Sequence, residues 1–396
     1  MTKKEVANAT DAVHGGVPRQ RPHHALAPAI ALTATYTFKD TADLEQYMRG
    51  EDTDPEREEY GRYGNPTVRE FENRMAVLED GADAVAFSSG MASVTASILA
   101  LTKAGDHIVL FRDCYRRTRQ LVTVTMARFG VEHTIVEAGD LAGLAAALRP
   151  NTRLVVSESP TNPYQYCVDL AELAKICKAH GRVRTLVDST FATPINCRPL
   201  TFGIDLVAHS ATKYLSGHND VLGGVVVGAP HLISLLRDLR GITGAVLDPH
   251  AAFMISRGLK TLALRVVQQN ASALAVARAL EKHSQVESVF YPFLESHPSF
   301  KIATEQMHGG GGVVSFIVKG GKAAASRVVD GSRLATLAAS LGGVETLIEQ
   351  PSIMSFFELS PVELAQIGID PALIRLSVGV EEPDDLIKDL VAALEQ

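Results

Sequence analysis

Short apolar runs alternate with longer segments of helical period from about residue 83 onward. The runs are rich in valine, isoleucine and leucine and show no polar alternation, which is typical of strands covered on both faces. Segments 141–149 and 170–181 have the period of a helix, and the second ends in a glycine. Repeated strand–helix units predict a mostly parallel sheet covered by helices. The seven predicted strands are DAVAF (83–87), HIVLF (107–111), EHTIVE (132–137), RLVVSES (153–159), RTLVDS (184–189), DLVAHS (205–210) and GGVVVG (223–228).

The pattern changes after about residue 250. A long helical stretch (264–283) is followed by VVSFIVKG (313–320) and LIRLSVGVE (373–381), which alternate like half-exposed strands. These segments predict a smaller C-terminal α+β domain. The first sixty residues follow neither pattern, and the opening stretch, MTKKEVANATDAVHGG, is expected to be a loose arm. The expected division is therefore an arm over 1–60, a large domain over 61–250 and a small domain over 251–396.

Composition narrows the class of protein. The chain has 396 residues, 46% hydrophobic and 21% charged, which suits a globular protein of two or three domains. A net charge of −7 argues against nucleic acid as a partner. No apolar stretch reaches the ~18 residues of a membrane span, and no apolar segment follows the N-terminal lysines, so we expect a cytoplasmic protein that binds no membrane. The four cysteines form no CxxC pair and no zinc spacing, which predicts reduced thiols and no metal site.

Polar residues follow five of the predicted strands. In an open α/β sheet, ligands bind at the carboxyl ends of the strands. We therefore expect these residues to line one pocket, and they are Ser88, Gly90, Tyr115, Asn162, Asp188, Ser210, Thr212 and Lys213.

Three parts of this pocket suggest a chemistry, and each has an ordinary alternative. SSGMAS (88–93) opens a helix and can seat an anion, or be a plain helix cap. Asp188 ends an apolar strand, so it is either an N-cap or a partner for a protonated ring nitrogen. Lys213 is either a loop lysine with an exposed head or an amine whose pKa, ordinarily ~10.4, burial lowers enough to attack an aldehyde. Together the three parts are what pyridoxal phosphate requires.

Other cofactor and nucleophile motifs fit the sequence less well. Neither GxGxxG nor GxxxxGK[ST] is present, so the dinucleotide-binding and P-loop sites lack their fingerprints. SATK (210–213) has the S-x-x-K form of penicillin-recognising serine enzymes. That chemistry also needs SDN and KTG, and the chain contains neither, which disfavours an acyl-enzyme.

Several segments resemble the Cys/Met-metabolism pyridoxal-phosphate enzymes, the cystathionine γ-synthase and γ-lyase family. The resemblance runs in order from about residue 25 to the C-terminus, and it implies fold type I of the PLP-dependent transferases, which is aspartate aminotransferase-like. DCYRRTR (113–119), GHNDVL (217–222), RGLKTLALRVVQQN (257–270) and QPSIMS (350–355) resemble plant-type cystathionine γ-synthases most. The family segments are HSATKY, YGRYGNPT, SSGMAS, ESPTNP, VDSTFATP, GHNDVLGG and LIRLSVGVE.

The resemblance implies roles for the matching residues. Lys213, Tyr115 and Asp188 would be catalytic: Lys213 carries pyridoxal 5'-phosphate, Tyr115 stacks on its ring, and Asp188 pairs with the ring nitrogen. The full cofactor-binding set would be Tyr60, Arg62, Ser89, Gly90, Met91, Tyr115, Asn162, Asp188, Ser210, Thr212 and Lys213. The substrate-binding set would be Arg375, Ser340, Asn162 and Tyr60. From the residues alone, a surface charge for Arg62, a strand-edge ion pair for Arg375 and a core aromatic for Tyr115 stay open.

The resemblance also implies an assembly. Tyr60 and Arg62 would reach the cofactor phosphate of a neighbouring subunit, so the active site would form only on dimerisation. The expected assembly is a homotetramer built as a dimer of dimers, with the N-terminal arm contacting the neighbour.

The implied reaction is γ-replacement on an activated homoserine ester by a thiol such as cysteine, giving cystathionine for transsulfuration and methionine biosynthesis. Four arginines around Tyr115 favour an anionic leaving group such as phosphate or succinate, although a solvated basic helix face is the alternative and the choice among phosphate, succinate and acetate stays open. They are Arg112, Arg116, Arg117 and Arg119.

Two rival reactions use the same core residues. One is γ-elimination from cystathionine or methionine, giving a 2-oxo acid and ammonia. The other is a secondary-metabolism γ-substitution with a different nucleophile, for which the charged segment 48–59 or the loops around 230–250 would set specificity. A non-enzymatic regulator is disfavoured, because the catalytic set is complete.

Overall fold

The computed structural model describes residues 5–21, 24–52, 54 and 57–396, and its largest element is a seven-stranded sheet. The strand order is β1-β7-β6-β5-β4-β2-β3, and only β7 runs antiparallel to its neighbours. The mostly parallel sheet and all seven strands are therefore confirmed, with ends that differ by at most one residue. The strands are β1 Asp83–Phe87, β2 His107–Phe111, β3 Glu132–Val136, β4 Thr152–Glu158, β5 Arg184–Asp188, β6 Leu206–Ser210 and β7 Gly224–Gly228.

Helices surround the sheets, and the two long helical predictions, 170–181 and 264–283, correspond to α7 and α11. Within the described ranges, no helix is long and apolar enough to cross a membrane. The helices are α1 Ala9–His14, α2 Thr41–Met48, α3 Pro66–Leu78, α4 Gly90–Leu101, α5 Arg116–Gln120, α6 Leu141–Ala147, α7 Leu170–Ala179, α8 Thr193–Asn196, α9 Pro230–Thr243, α10 Pro249–Leu259, α11 Leu262–Glu281, α12 Phe300–Gln306, α13 Gly321–Gly331, α14 Pro351–Met354, α15 Pro361–Gln366 and α16 Pro383–Leu394.

Apart from its edge strand β3, the large sheet is buried on both faces, as its apolar strands predict. Side chains alternate along β7: Val226 belongs to one core, whereas Val225 and Val227 belong to another on the opposite face. The first core contains residues of α4, α7 and α9, and the second contains residues of α3, α10 and α11. Because both faces are covered, ligands can reach the sheet only at its ends.

A second sheet follows in the C-terminal part, with order β10-β11-β12-β9-β8. The expectation that 313–320 and 373–381 are half-exposed is wrong, because β9 and β12 are buried along nearly their whole length. Ile374 and Leu376 pack in a core with α11, α13 and α16, whereas Arg375 and Ser377 alternate to the opposite, polar face. That polar face meets the large sheet's end instead of solvent. The strands are β8 Val286–Phe290, β9 Val313–Val318, β10 Thr336–Leu337, β11 Leu347–Glu349 and β12 Leu373–Ser377.

The N-terminal stretch differs from the loose arm expected, as far as it is described. Residues 8–14 form a capped helix in which Asn8 and Asp11 make a reciprocal capping box. Ala7 and Ala12 are buried against the large sheet's core. Residues 1–4 lie outside the described part. The division into 1–60, 61–250 and 251–396 stays our proposal, and its second boundary falls inside α10.

Candidate active site

Lys213 lies just after β6, in the turn that SATKY forms. Its Nζ donates a hydrogen bond to Ser340 Oγ at 2.6 Å. Burial lowers the pKa of this amine to about 8, with a further lowering by the Arg375 guanidinium and an opposing effect of Glu349. The side chain is therefore bonded inside the protein, and its amine is neutral far more often near physiological pH than that of an exposed lysine.

Ser340 joins Lys213 to Arg375. Its hydroxyl accepts the lysine hydrogen bond, and its carbonyl oxygen accepts from Arg375 Nη2 at 2.8 Å. Ser340 has a φ of 87°, in the left-handed region that costs a non-glycine residue ~1–3 kcal/mol. The backbone thus holds an unfavourable conformation at the residue that connects the two cations.

Arg375 lies on β12, directly opposite Glu349 on β11. Its Nη2 is 2.8 Å from Glu349 Oε1, and its Nη1 donates to Asn162 Oδ1 at 3.2 Å. The Nε of Arg375 is buried and has no hydrogen-bond partner in the described part of the chain. The guanidinium is therefore held from two sides and has an unused donor. The ion pair that sequence left open exists, but it lies in the interior and not at a strand edge.

Asp188 ends β5, next to Glu158 at the end of β4. Its Oδ1 accepts hydrogen bonds from the Thr190 backbone N–H at 3.0 Å and from Thr190 Oγ1 at 2.6 Å. Burial raises the pKa of this carboxyl group, and these two bonds oppose the rise. No lysine or arginine of the described chain lies within 4 Å of it. A partly buried carboxylate without a lysine or arginine partner is costly, so the residue fits a protonated ring nitrogen of a cofactor.

Small residues let the N-terminus of α4 approach the end of β6. A Cβ added to Gly90 would lie 2.7 Å from Ser210 Cβ and 2.9 Å from Ser210 Cα. Ser89 Oγ caps the helix by accepting from the Ala92 N–H. The helix dipole and free N–H groups at this point favour an anion such as the phosphate of pyridoxal phosphate.

Two other residues of the expected phosphate seat already have partners. Thr212 Oγ1 accepts from the Gly223 N–H at 3.1 Å, and Met91 Sδ accepts from Thr118 Oγ1 at 3.9 Å. Their side chains are therefore engaged within the chain. The structure leaves the backbone of Gly90 and Met91, with Ser210, as the groups best placed for an anion.

Tyr115 lies between β2 and α5 and lines a cavity. Its backbone N–H donates to Glu158 Oε2 at 2.7 Å, and its side chain is 42% exposed. The core-aromatic alternative is therefore wrong for the chain taken alone. The same cavity is lined by Asn162, Arg112, Arg116 and Arg119, which brings Tyr115 and part of the basic cluster together.

The four arginines of the basic cluster differ in their partners. Arg112 pairs with Glu137 at 2.6 Å, Arg116 pairs with Glu358, and Arg117 donates to Gln120. Arg119 donates to the Arg112 carbonyl oxygen and pairs with no carboxylate among the described residues. Burial lowers its pKa. Arg119 is therefore the lining arginine that has no ion pair in the described part of the chain, although Asp113 and Glu158 lie near enough to act on its charge, and Arg117 does not line the cavity.

Tyr60 and Arg62 lie away from this cluster within the single chain. Arg62 donates to the Gly241 carbonyl oxygen at 2.7 Å, and its guanidinium lies 5.3 Å from the centroid of the Tyr60 ring. Tyr60 is 43% exposed. No described hydrogen bond or ion pair connects either residue to Lys213 or Asp188.

Three site carboxylates escaped sequence reasoning. Glu158 ends the apolar strand RLVVSE as Asp188 ends RTLVD, and this parallel could have revealed it. Burial raises the pKa of Glu158 well above its ordinary range and raises that of Asp113, which is near Tyr115, to about 6. Glu349 stands on a three-residue strand, β11, that is too short to show a periodicity.

Comparison with known proteins agrees with this geometry. Residues 9–395 match the family described as Cys/Met metabolism PLP-dependent enzyme. The chain is 42% identical to cystathionine gamma-synthase 1, chloroplastic, of Nicotiana tabacum over 97% of its own length and 71% of that protein. It is 41% identical to L-methionine gamma-lyase of Porphyromonas gingivalis, covering 98% of this chain and 96% of the lyase.

A solved structure supports the same conclusion. The crystal structure of metB from Corynebacterium glutamicum superimposes with a TM-score of 0.91 at 34% identity, covering 98% of this chain and 97% of that one. The fold is that of the PLP-dependent transferases of the aspartate aminotransferase type, as expected. The chain belongs to the Cys/Met-metabolism family of pyridoxal-phosphate-dependent enzymes, with pyridoxal 5'-phosphate as its cofactor.

Proposed function

We propose that the protein catalyses γ-replacement on an activated homoserine ester. The Cγ–O bond of the ester breaks, a Cγ–S bond to a thiol such as cysteine forms, and the thiol proton leaves with the released acid. With cysteine the product is cystathionine, which would place the enzyme in transsulfuration and methionine biosynthesis. The observation that carries this proposal is the cavity beside Tyr115, whose lining cation Arg119 has no carboxylate partner and suits an anionic leaving group.

Each residue at the carboxyl end of the large sheet would have a separate role in the reaction. Pyridoxal phosphate, when bound, supplies the electron sink that makes the α-proton acidic. Lys213 would hold the cofactor and move that proton with Nζ, for which a pKa of about 8 is suited. Asp188 would hold the ring nitrogen, and the N-terminus of α4 with Ser210 would hold the phosphate.

Substrate orientation would depend on Arg375. A planar guanidinium binds a carboxylate through two parallel hydrogen bonds, and its unpartnered Nε offers one donor for the α-carboxylate. Asn162 and Ser340 fix the guanidinium's orientation. Tyr115 stands at the cavity side, where its hydroxyl would move the β-proton and its ring would cover the cofactor.

A homo-oligomer would complete this site. Tyr60 and Arg62 are partly exposed and make no contact with their own chain's cluster, which supports their acting on a neighbour's cofactor phosphate. Several large apolar side chains are open to solvent in the single chain, as expected of surfaces that pack in a homotetramer. They include Leu26, Leu32, Ile242, Leu264 and Val267. The four buried free cysteines support a reducing compartment, and we propose the cytoplasm.

The second candidate is γ-elimination. The chain spans 96% of the Porphyromonas gingivalis protein named as a methionine gamma-lyase, but only 71% of the Nicotiana tabacum synthase. Identity is similar in both groups and does not separate them.

The charged segment 48–59, proposed as a specificity loop for another nucleophile, is described only in part, because residues 53, 55 and 56 lie outside the described residues. Arg57 in this segment pairs with Asp43 and Asp52.

One incubation separates the candidates. The purified holoenzyme is given O-phospho-, O-succinyl- or O-acetylhomoserine, each with and without cysteine, and products are identified by mass spectrometry. We expect cystathionine as the main product and a preference for the two anionic esters. Exclusive formation of 2-oxobutanoate, or cleavage of cystathionine or methionine, would contradict the synthase proposal.

Variants at Arg119 test the cation. Arg119→Met should lose the preference for the anionic esters, whereas Arg119→Lys, which keeps the charge, should retain most of it. Lys175→Met, at an exposed lysine of α7, is the matched control for loss of one positive charge.

A further inference from the structure

Residues 355–369, which we term the cover segment, form one wall of the substrate cavity. Ser355, Phe356, Ile367 and Ile369 line the cavity opposite Tyr115. The segment has its own small apolar cluster of Phe356, Leu364 and Ile369, separate from the three larger cores. Such a satellite cluster buries little apolar surface, so few contacts hold the segment in place.

Two side chains of the large-sheet side hold the cover segment. At one end, the Tyr164 hydroxyl donates to the Gly368 carbonyl oxygen at 2.7 Å. At the other end, Arg116 alone makes three contacts. Its Nη1 donates to the Ser355 carbonyl oxygen, its Nη2 pairs with the Glu358 carboxylate, and its guanidinium lies 5.6 Å from the centroid of the Phe356 ring.

Arg116 therefore contacts both the cavity and the cover segment. It lines the cavity next to Tyr115, and it is also one of the two side chains that hold the cover segment. Glu358 neutralises its charge, and the Glu358 side chain is 56% exposed. An anion that enters the cavity can bind Arg116 only by replacing the Glu358 carboxylate. Because ion pairs at partly exposed positions contribute little free energy, this replacement costs little.

We propose that Glu358 is a specificity-determining residue that competes with the anionic leaving group for Arg116, so that binding of the anion loosens the end of the cover segment that Arg116 holds. The proposal rests on the proposed function for its substrate class. An ester whose leaving group carries no negative charge cannot displace Glu358. When such an ester binds, Arg116 therefore still holds the cover segment.

The expected size of the effect follows from the exposure of the pair. A partly exposed Arg–Glu pair contributes an amount equivalent to about two- to five-fold in an equilibrium constant. Glu358→Gln removes the competing charge but keeps the side-chain volume. It should raise the ratio of kcat/KM for O-phosphohomoserine over O-acetylhomoserine by about two- to five-fold, through a lower KM for the phosphate ester.

Glu132→Gln is the matched control. Glu132, on β3, pairs with Arg149 at 3.0 Å; both side chains are about half exposed, and neither lines the cavity. This variant should have the wild-type ratio. If the ratio is the same in Glu358→Gln and Glu132→Gln, the proposal is overturned.

A readout without turnover follows the cover segment directly. Hydrogen–deuterium exchange is measured on peptides covering 355–369 of the cofactor-loaded enzyme, with inorganic phosphate as the probe. Phosphate should speed exchange in the wild type and in Glu132→Gln, whereas Glu358→Gln should exchange fast without phosphate. Unchanged exchange in the wild type would overturn the proposal. If the enzyme turns over no anionic ester, the proposed function fails, and the exchange result still decides the role of Glu358.

Discussion

The site geometry predicts that the amine of Lys213 is unusually reactive in the cofactor-free enzyme. Its pKa falls from an ordinary 10.5 to about 8, chiefly because the amine is buried and secondly because Arg375 lies near. That displacement corresponds to about 3.4 kcal/mol, at 1.36 kcal/mol for each pKa unit. At pH 7 the neutral amine would rise from about 0.03% to about 10% of the total, roughly 300-fold.

Removing the neighbouring cation should reverse part of this lowering. Arg375→Met takes away the repulsive charge and leaves Glu349, which favours the protonated amine. We expect the pKa of Lys213 to rise but to stay below its ordinary value, because burial is the larger cause and persists. Arg375→Lys keeps a cation at the position and should leave the value close to that of the wild type.

Competitive labelling measures this quantity residue by residue. The apoenzyme is acetylated with trace anhydride between pH 6 and 10.5, and the peptides are quantified by mass spectrometry, with exposed Lys175 as the internal reference. Lys213 labelling should reach half of its maximum near pH 8 in the wild type and at a higher pH in Arg375→Met. Identical profiles for Lys213 in Arg375→Met and Arg375→Lys would refute the electrostatic part of the reasoning.

Three further outcomes are expected. Asp113→Asn should raise the thermal midpoint at pH 7.5 but not at pH 4. In the wild type the folded pKa of Asp113 is raised to about 6, so its stability falls by up to about 3 kcal/mol as the pH rises from about 4 to 6. Equal differences between variant and wild type at both pH values would contradict this. Glu72→Met leaves buried Arg240 unpaired and should cost about 3–5 kcal/mol in thermal unfolding, whereas the exposed-pair control Glu45→Gln should change little. Gly90→Ala should weaken cofactor binding at least about ten-fold in apoenzyme titrations, since a Cβ there needs space that Ser210 fills; wild-type affinity would show that the close approach is not required.

The large sheet could be predicted because its apolar strands leave a plain signal. Strands buried on both faces have no polar alternation, so β1 to β7 stand out between helical segments. The small sheet was harder to interpret. Alternation around Arg375 indicates one polar face, but sequence does not show whether water or another part of the protein covers that face. Here the large sheet's end covers it, and the strands are buried.

The candidate site could likewise be predicted from the sequence only in part. Lys213, Asp188 and Gly90 are identifiable because chain order places them at strand ends, where parallel topology brings them together. Glu349 could not be found this way, because its role comes from antiparallel pairing with Arg375, and β11 is too short to predict. The partners of the basic cluster were equally hidden, since Glu358 lies more than two hundred residues from Arg116 and meets it only in the folded chain.

The attachment of the cofactor at Lys213 is the claim on which the rest depends. Borohydride reduction of the holoenzyme, followed by proteolysis and mass spectrometry, fixes the cofactor at the residue that holds it. The account predicts one pyridoxyl-modified peptide, containing Lys213, and its loss in Lys213→Ala. Modification of a different lysine, or an unmodified Lys213 in an active enzyme, would contradict the account.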